Sequence, residues 1–319
     1  MHDFIKQLGL SFALKDLGPL HYFLGIEVSW LKNNSIHLSQ AKYINDLLRR
    51  TNMDHSKPQP SPMLSSLRLT ADESASVDDP TLYRSIVGAL QYATVTRPEI
   101  SFSVNRVCQY MHKPQIHHWK AVKRILRYLA GTSTHGLLLT PSPNYSITGF
   151  SDSDWATDLD DRKSTTGYCI FVGRNLVSWS SKKQKAVSRS STEAEYRSIA
   201  AALADITWIQ TLLTELRIPS SSTPIIHSDN LGAVHIAANP VLHSRSKHFE
   251  LDLHFVRDRV QHKQLLVVHL PSQFQIADVL TKPLSGTMFQ KFKDKLRVVD
   301  NSPISLWGGV RDNTVNVVT

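Results

Sequence analysis

"SRSSTEAEYRSIAAAL", residues 188–203, opens a segment whose two sides differ, and that difference governs how the rest of the chain is read. Apolar residues recur at Ile199, Ala202, Leu203, Ile206, Ile209, Leu213 and Leu216. This i, i+3, i+4, i+7 spacing predicts a helix over 190–216 with one face turned to a core. At about 100° per residue, Glu195 falls on the apolar face and Glu193 points roughly the opposite way. Ser190 followed three residues later by Glu193 has the form of a capping box, so Glu193 reads as a helix cap. Glu195 is the unusual one. An acid at the buried edge of an apolar stripe needs a partner, and the helix alone leaves a metal ion and a buried salt bridge equally open.

The flanking sequence supplies a sheet for this helix. "YSITGFSDSDWA" (145–156), "STTGYCIFVG" (164–173) and "NLVSWSSKKQ" (175–184) are short, aromatic and β-branched strand candidates joined by tight connections. After the helix come a strand at "PIIHSD", a short helix at "NLGAVHIAA", a longer helix at "SKHFELDLHFVRDRVQHK", a strand at "QLLVVHL" and a final helix at "FQIADVLTKPL". Three strands, helix, strand, helices, strand, helix predict an α/β fold: a mixed five-stranded sheet with flanking helices. Acids stand at its strand ends and helix starts. Asp152 and Asp154 end the first strand, Asp229 follows "PIIHS", and Asp278 lies in the first turn of the last helix. Each is ordinary by itself, because Asp is a common cap and loop residue. Steps of 43, 34 and 49 residues from Asp152 to Glu195, Asp229 and Asp278 put each acid on a different element. Strand alternation sends Asp152 and Asp154 to the same face and does not separate them.

The first 140 residues read differently. "HYFLGIEVSWL" and "IHLSQ", linked by "NNS", have the form of a hairpin, and "SQAKYINDLLRRTNM" follows as an amphipathic helix with Ser39 as its N-cap. Residues 54–80 are rich in proline, serine and acids and read as a surface connection. Helical patterns dominate from Thr81 to Gly131. In "HHWKAVKRILRYLAGT", Val122, Ile125, Leu126 and Leu129 form one face, with Lys120, Lys123, Arg124 and Arg127 off it. That basic run is either a solvated helix face or one that tracks phosphates.

Bulk properties bound the function. The chain has 319 residues, 41% of them hydrophobic, and no apolar run long enough to cross a bilayer. "MHDFIKQLGL" lacks the layout of a secretory signal, and two cysteines, Cys108 and Cys169, make no disulfide framework, so an intracellular protein is expected. A net charge of +9 and a pI near 9.5 favour a polyanionic partner. His243, His248 and His254 lack i, i+4 spacing and cysteine partners, which leaves them as surface or structural histidines rather than zinc ligands.

"GFSDSDWA", "STEAEY", "IHSDN" and "IADVLTK", in that order, resemble the ribonuclease H domain of copia-type LTR retrotransposon polyproteins. "DLGPLHYFLGIEV", "LSQAKYINDLL", "YRSIVGALQYATVTRPEISF", "RILRYLAGT", "RKSTTGYCIFVG" and "SRSKHFELDLHFVRDRV" resemble the same Pol polyprotein, from the end of its reverse transcriptase palm onward. The resemblance implies the end of the palm and the thumb start at 1–60, and a linker with a mostly helical thumb/connection at 61–143. A ribonuclease H-like domain at 144–286 and a C-terminal tail at 287–319 complete the division. It implies that Asp152, rather than Asp154, joins Glu195, Asp229 and Asp278 as the catalytic acids. These would hold two Mg²⁺ ions, with Mn²⁺ as an alternative, about 4 Å apart. The implied activity is hydrolysis of the RNA strand of RNA–DNA hybrids; the other outcome is a catalytically silent nucleic-acid-binding remnant of a decayed element. Lys182, Lys183, Lys185 and Arg189 precede the catalytic helix and, with Lys120, Lys123 and Arg127, are candidates for backbone contact. The remaining reverse transcriptase portion of the element is an expected partner, in a cytoplasmic particle or the nucleus. The polymerase aspartates of the family lie upstream of the matched region, and neither "SVDDP" (76–80) nor "LDDRK" (159–163) has their setting, so no nucleotide polymerisation is expected.

Overall fold

Turn residues between short apolar strands begin the fold, which a computed structural model describes for residues 2–13, 18–71, 74–218, 222–239 and 249–301. After α1 (His2–Ser11), strands β1 (Tyr22–Phe23), β2 (Ile26–Trp30) and β3 (Ile36–Ser39) pair antiparallel. Asn33 and Asn34 take positive φ in the β2–β3 connection, a backbone region that Asn tolerates better than most residues, so the expected hairpin forms. Helix α2 (Ala41–Arg50) buries Ile44, Leu47 and Leu48 as its spacing requires, although Gln40 and not Ser39 occupies the N-cap. The 54–80 segment departs from its reading as a surface connection: Met63 and Leu69 are fully buried in the core. Helices α3 (Pro80–Ala93), α4 (Ser101–Cys108) and α5 (Ile116–Ala130) follow, then β4 (His135–Leu139). Asp79 caps α3 by accepting from the amides of Thr81 and Leu82, which gives the second acid of "SVDDP" a structural use.

The second half starts with β5 (Ile147–Ser153), β6 (Thr165–Val172) and β7 (Asn175–Lys183), an antiparallel trio. Helix α6 (Ser191–Glu215) then crosses the sheet to β8 (Ile225–Ser228), which pairs parallel with β5. Helices α7 (Leu231–Ala238) and α8 (Glu250–Gln261) lead to β9 (Leu266–His269), parallel to β8. Strand order is β7-β6-β5-β8-β9, the expected mixed five-stranded sheet with flanking helices. The expected last helix over 274–284 is replaced by two short 3₁₀ turns, Ser272–Phe274 and Ile276–Leu280. Pro271 and Pro283 bracket a stretch too short for a regular α-helix, and i→i+3 bonding is the compact alternative. Residues set apart as a C-terminal tail also fold: α9 (Gly286–Lys295) and β10 (Val298–Asp300) return to the first sheet, whose order is β1-β2-β3-β4-β10.

Period-two alternation on β6 divides the apolar interior. Ile170, with Tyr168 and Val172 beside it, faces the core under α6, which also holds Ile199, Leu203, Ile206, Ile226 and Val256. Cys169 and Phe171 face the other way, into a core shared with α2–α5, α9 and the turn residues Val279 and Leu280. The β5–β6–β7 sheet is therefore covered on both faces. On α6 the apolar stripe is buried from Ile199 to Ile209, but Leu216 at its end is exposed.

Candidate metal centre

The C-terminal end of β5, the N-terminal turn of α6, the end of β8 and the 3₁₀ turn at 276–280 converge at one edge of the second sheet. Each brings an acid. One carboxylate oxygen from each of Asp152, Glu195 and Asp229 lies within 4.8 Å of the other two, with Asp152 and Glu195 buried and Asp229 half-buried. Asp278 is buried too but lies outside this close trio; it is tied to Asp152 through Lys282. The Lys282 ammonium is 2.9 Å from Oδ1 of Asp278 and 3.7 Å from Oδ2 of Asp152.

Local bonding holds each acid in place. The Ser153 amide donates to Oε1 of Glu195 at 3.1 Å, fixing α6 to the strand end, while Oε2 of Glu195 is buried without a hydrogen bond. The hydroxyl of Thr281 donates to Oδ2 of Asp152, and Ser272 Oγ donates to Oδ2 of Asp229 at 2.7 Å. Two glutamines, both buried, fasten the elements. Gln275 Nε2 donates to the carbonyl of Ser151 at 2.9 Å, holding the 3₁₀ turn on β5. Gln184 Nε2 donates to the carbonyl of Ala194 at 3.0 Å and to the hydroxyl of Thr166 at 3.1 Å, clamping α6 to the sheet. None of Thr281, Lys282, Ser272, Gln275 or Gln184 was singled out in the sequence. For Lys282 a signal existed: it stands four residues after Asp278, the spacing of side chains that share a face of a turn.

Electrostatics follow from this crowding. Burial, and next the charges of Asp152 and Asp229, hold the Glu195 carboxyl well above the usual carboxylate range. Burial and Asp152 likewise raise Asp278, against the opposing pull of Lys282. For Lys282 burial disfavours the charge, but Asp152 and Asp278 outweigh it and hold the ammonium protonated. All-oxygen donors, crowded enough to repel, with one buried carboxylate oxygen left unbonded, suit a hard divalent cation. Asp154 is a different case. It turns back into the β5–β6 connection, accepting from the Thr157 hydroxyl and the Thr165 amide, and burial pushes it up to about 7. Glu193 behaves as a cap residue: its amide donates to Ser190 Oγ, and its carboxylate accepts from the Arg189 amide and from Arg197.

Comparison with known proteins places the chain. A profile of the reverse transcriptase (RNA-dependent DNA polymerase) family matches residues 1–65. Over 94% of its length the chain is 51% identical to the retrovirus-related Pol polyprotein from transposon RE2 of Arabidopsis thaliana. The chain belongs to the copia-type Pol polyprotein family. It spans 20% of the length of that polyprotein, so it corresponds to about a fifth of the curated relative it matches. An uncharacterized mitochondrial protein of Arabidopsis thaliana, AtMg00810, is 48% identical over 64% of this chain and 84% of its own. Among solved structures, LC11-RNase H1 isolated from compost is 17% identical, over 46% of this chain and 97% of that one, with a TM-score of 0.33.

The basic residues of this copia-type chain fall into two groups. Lys182, Lys185 and Arg189 are exposed at the end of β7 and in the loop before α6. Lys183 is committed inward, 2.9 Å from both Asp158 and Asp161, and Arg106 joins Asp158 at 2.7 Å. Lys120, Lys123 and Arg127 are exposed along one side of α5, whereas Arg124 bonds Gln59 and Ser61. His254 is exposed, 3.9 Å from Glu250; His243 and His248 lie outside the described residues. No helix among the described residues is long and apolar enough to cross a membrane.

Proposed function

We propose that this segment of a copia-type Pol polyprotein is a metal-dependent endonuclease that hydrolyses the RNA strand of RNA–DNA hybrids. One observation carries the reading: carboxylates from three separate elements, Asp152, Glu195 and Asp229, gather within 4.8 Å of one another at a sheet edge. Folding three acids this close is unfavourable unless a cation answers them. Asp152, Glu195, Asp229 and Asp278 would hold Mg²⁺ or Mn²⁺, and such ions when bound activate water and stabilise a departing 3′ oxygen. The protein's own part is placement. The Ser153 amide orients Glu195, Thr281 orients Asp152 and Ser272 orients Asp229. Exposed Lys182, Lys185 and Arg189, just before α6, would take phosphates of the duplex entering at this edge, and Lys120, Lys123 and Arg127 offer a second basic strip.

A gel assay of hybrid cleavage with and without Mg²⁺ tests the proposal, using the unaltered chain and Asp229→Asn. Cleavage is expected only with the ion, and the substitution is expected to lower the rate by at least about 10²-fold while the melting temperature holds. Cleavage by Asp229→Asn at the unaltered rate would refute it. Hybrid binding with no cleavage by the unaltered chain would identify a silent nucleic-acid-binding remnant instead.

A further inference from the structure

Lys282 reaches into the acid cluster from the same turn that carries Asp278. Its ammonium lies between two carboxylates of separate elements, 2.9 Å from Asp278 and 3.7 Å from Asp152. The neighbouring Thr281 is tied to Asp152 and the following Pro283 restricts the backbone, so the stem starts from a fixed point. The charged end is less confined. The ammonium contacts Oδ1 of Asp278 at 2.9 Å but stands 3.7 Å from Asp152, and the Lys282 side chain is 41% exposed. A cation shared by two carboxylates at the edge of solvent, in close contact with only one of them, is one that another cation can replace.

We propose that Lys282 is the resident counter-charge of this centre, holding Asp152 and Asp278 together until a divalent ion binds at the acid cluster and displaces the ammonium. The proposal rests on the reading of these acids as a metal centre. Two consequences follow that a merely structural ion pair lacks. Removing the ammonium removes a competitor, so a divalent ion binds more tightly. It also leaves the metal-free acids unanswered, so stability falls without the ion and recovers with it.

The experiment is a titration of the full chain with Mn²⁺, free ion being followed by electron paramagnetic resonance, for the unaltered protein, Lys282→Met, Lys282→Gln, Lys282→Arg and Asp229→Asn. The two neutral variants are expected to bind Mn²⁺ about tenfold more tightly, a fraction of the full Coulomb effect at this spacing because the side chain is partly in water. Lys282→Arg, which keeps the charge, is expected to stay within about threefold of the unaltered protein. Thermal melts in EDTA should place the neutral variants below the unaltered chain, with the gap closing in saturating Mg²⁺. Unchanged or weaker Mn²⁺ binding in both neutral variants overturns the counter-charge role. A separate result addresses the centre itself: Asp229→Asn should bind Mn²⁺ at least tenfold more weakly, and unchanged binding there overturns the metal-centre reading whatever Lys282 does. Using two neutral side chains keeps the comparison if one of them folds poorly.

Discussion

Gly167→Ala should damage the centre from behind. Gly167 lies on β6 directly opposite Asp152. A methyl group on it would come 2.5 Å from Cγ2 of Thr281 and 3.0 Å from Cβ of Leu280. Ordinary carbon–carbon contact is about 3.5–4.0 Å, so the 278–282 turn must retreat by about 1 Å. That turn carries Asp278 and Lys282, and its Thr281 hydroxyl is the donor to Asp152, so the retreat pulls the acids apart. Overpacking of this kind costs roughly 1–3 kcal/mol of stability, and a misplacement near 1 Å in a reacting constellation costs on the order of 10²-fold in rate. The assay is the initial rate of hybrid cleavage at saturating Mg²⁺, with a thermal melt beside it. Adding Thr281→Ser deletes Cγ2, the nearest clashing atom, and keeps the hydroxyl; the double variant is expected to recover at least about tenfold of the lost rate. An unaltered rate and melt in Gly167→Ala would refute the close fit of turn against strand.

Asp152→Asn is expected to lose at least about 10²-fold in cleavage, whereas Asp154→Asn should stay within about threefold, because Asp154 spends its oxygens on Thr157 and Thr165 and not on the cluster; equal losses in the two rates would contradict this separation. Asp158 carries a pH signature: burial alone would raise its carboxyl, but the bonds from Lys183 and Arg106 hold it down to about 2. A depressed folded-state value stabilises above the ordinary carboxylate range and is lost as pH falls from about 4 toward 2, a span on the order of 1–2 kcal/mol. Acid titration of stability should therefore be shallower in Asp158→Asn, and a superimposable curve would remove Asp158 from the account.

Local patterns carried well from sequence to structure, and long-range pairings did not. The α6 stripe, the hairpin at Asn33 and Asn34, and the aromatic and β-branched run "STTGYCIFVG" each depend on neighbours a few residues away, so local pattern alone was sufficient to place them. Asp152 and Asp154 share a strand parity, and their divergence depends on Thr165, a partner eleven residues later across a turn. Lys183 looked like a free cation within a basic run; Asp158 and Asp161 claim it, and a sequence shows no such pairing. The β10 strand is three residues long and bonds β4, with more than 150 residues between them, so no local signal marked 298–300 as structure. Gly167 had a readable sign after all: a glycine inside a strand often marks the close approach of another segment.

Support for the acid-bearing turn comes from both halves of the chain. Val279 and Leu280, just before Thr281 in the turn that meets Gly167, point into the same core as Cys169 and Phe171 of β6, Phe289 and Phe292 of α9, and the apolar faces of α2–α5. Arg106 of α4 reaches across to Asp158, near the middle of the β5–β6 connection, 2.7 Å away in a buried setting. Asp278 therefore stands on a segment pressed from one side by the sheet and backed from the other by the helical region. Each of Val279 and Leu280 is fully buried, a contribution of roughly 1.5–3 kcal/mol apiece to keeping the turn seated. Acids that repel one another stay assembled only if their carriers cannot move apart, and this shared core supplies that restraint. The helical region upstream of β5 is on these grounds a structural support of the acid cluster, although it contributes none of the four acids.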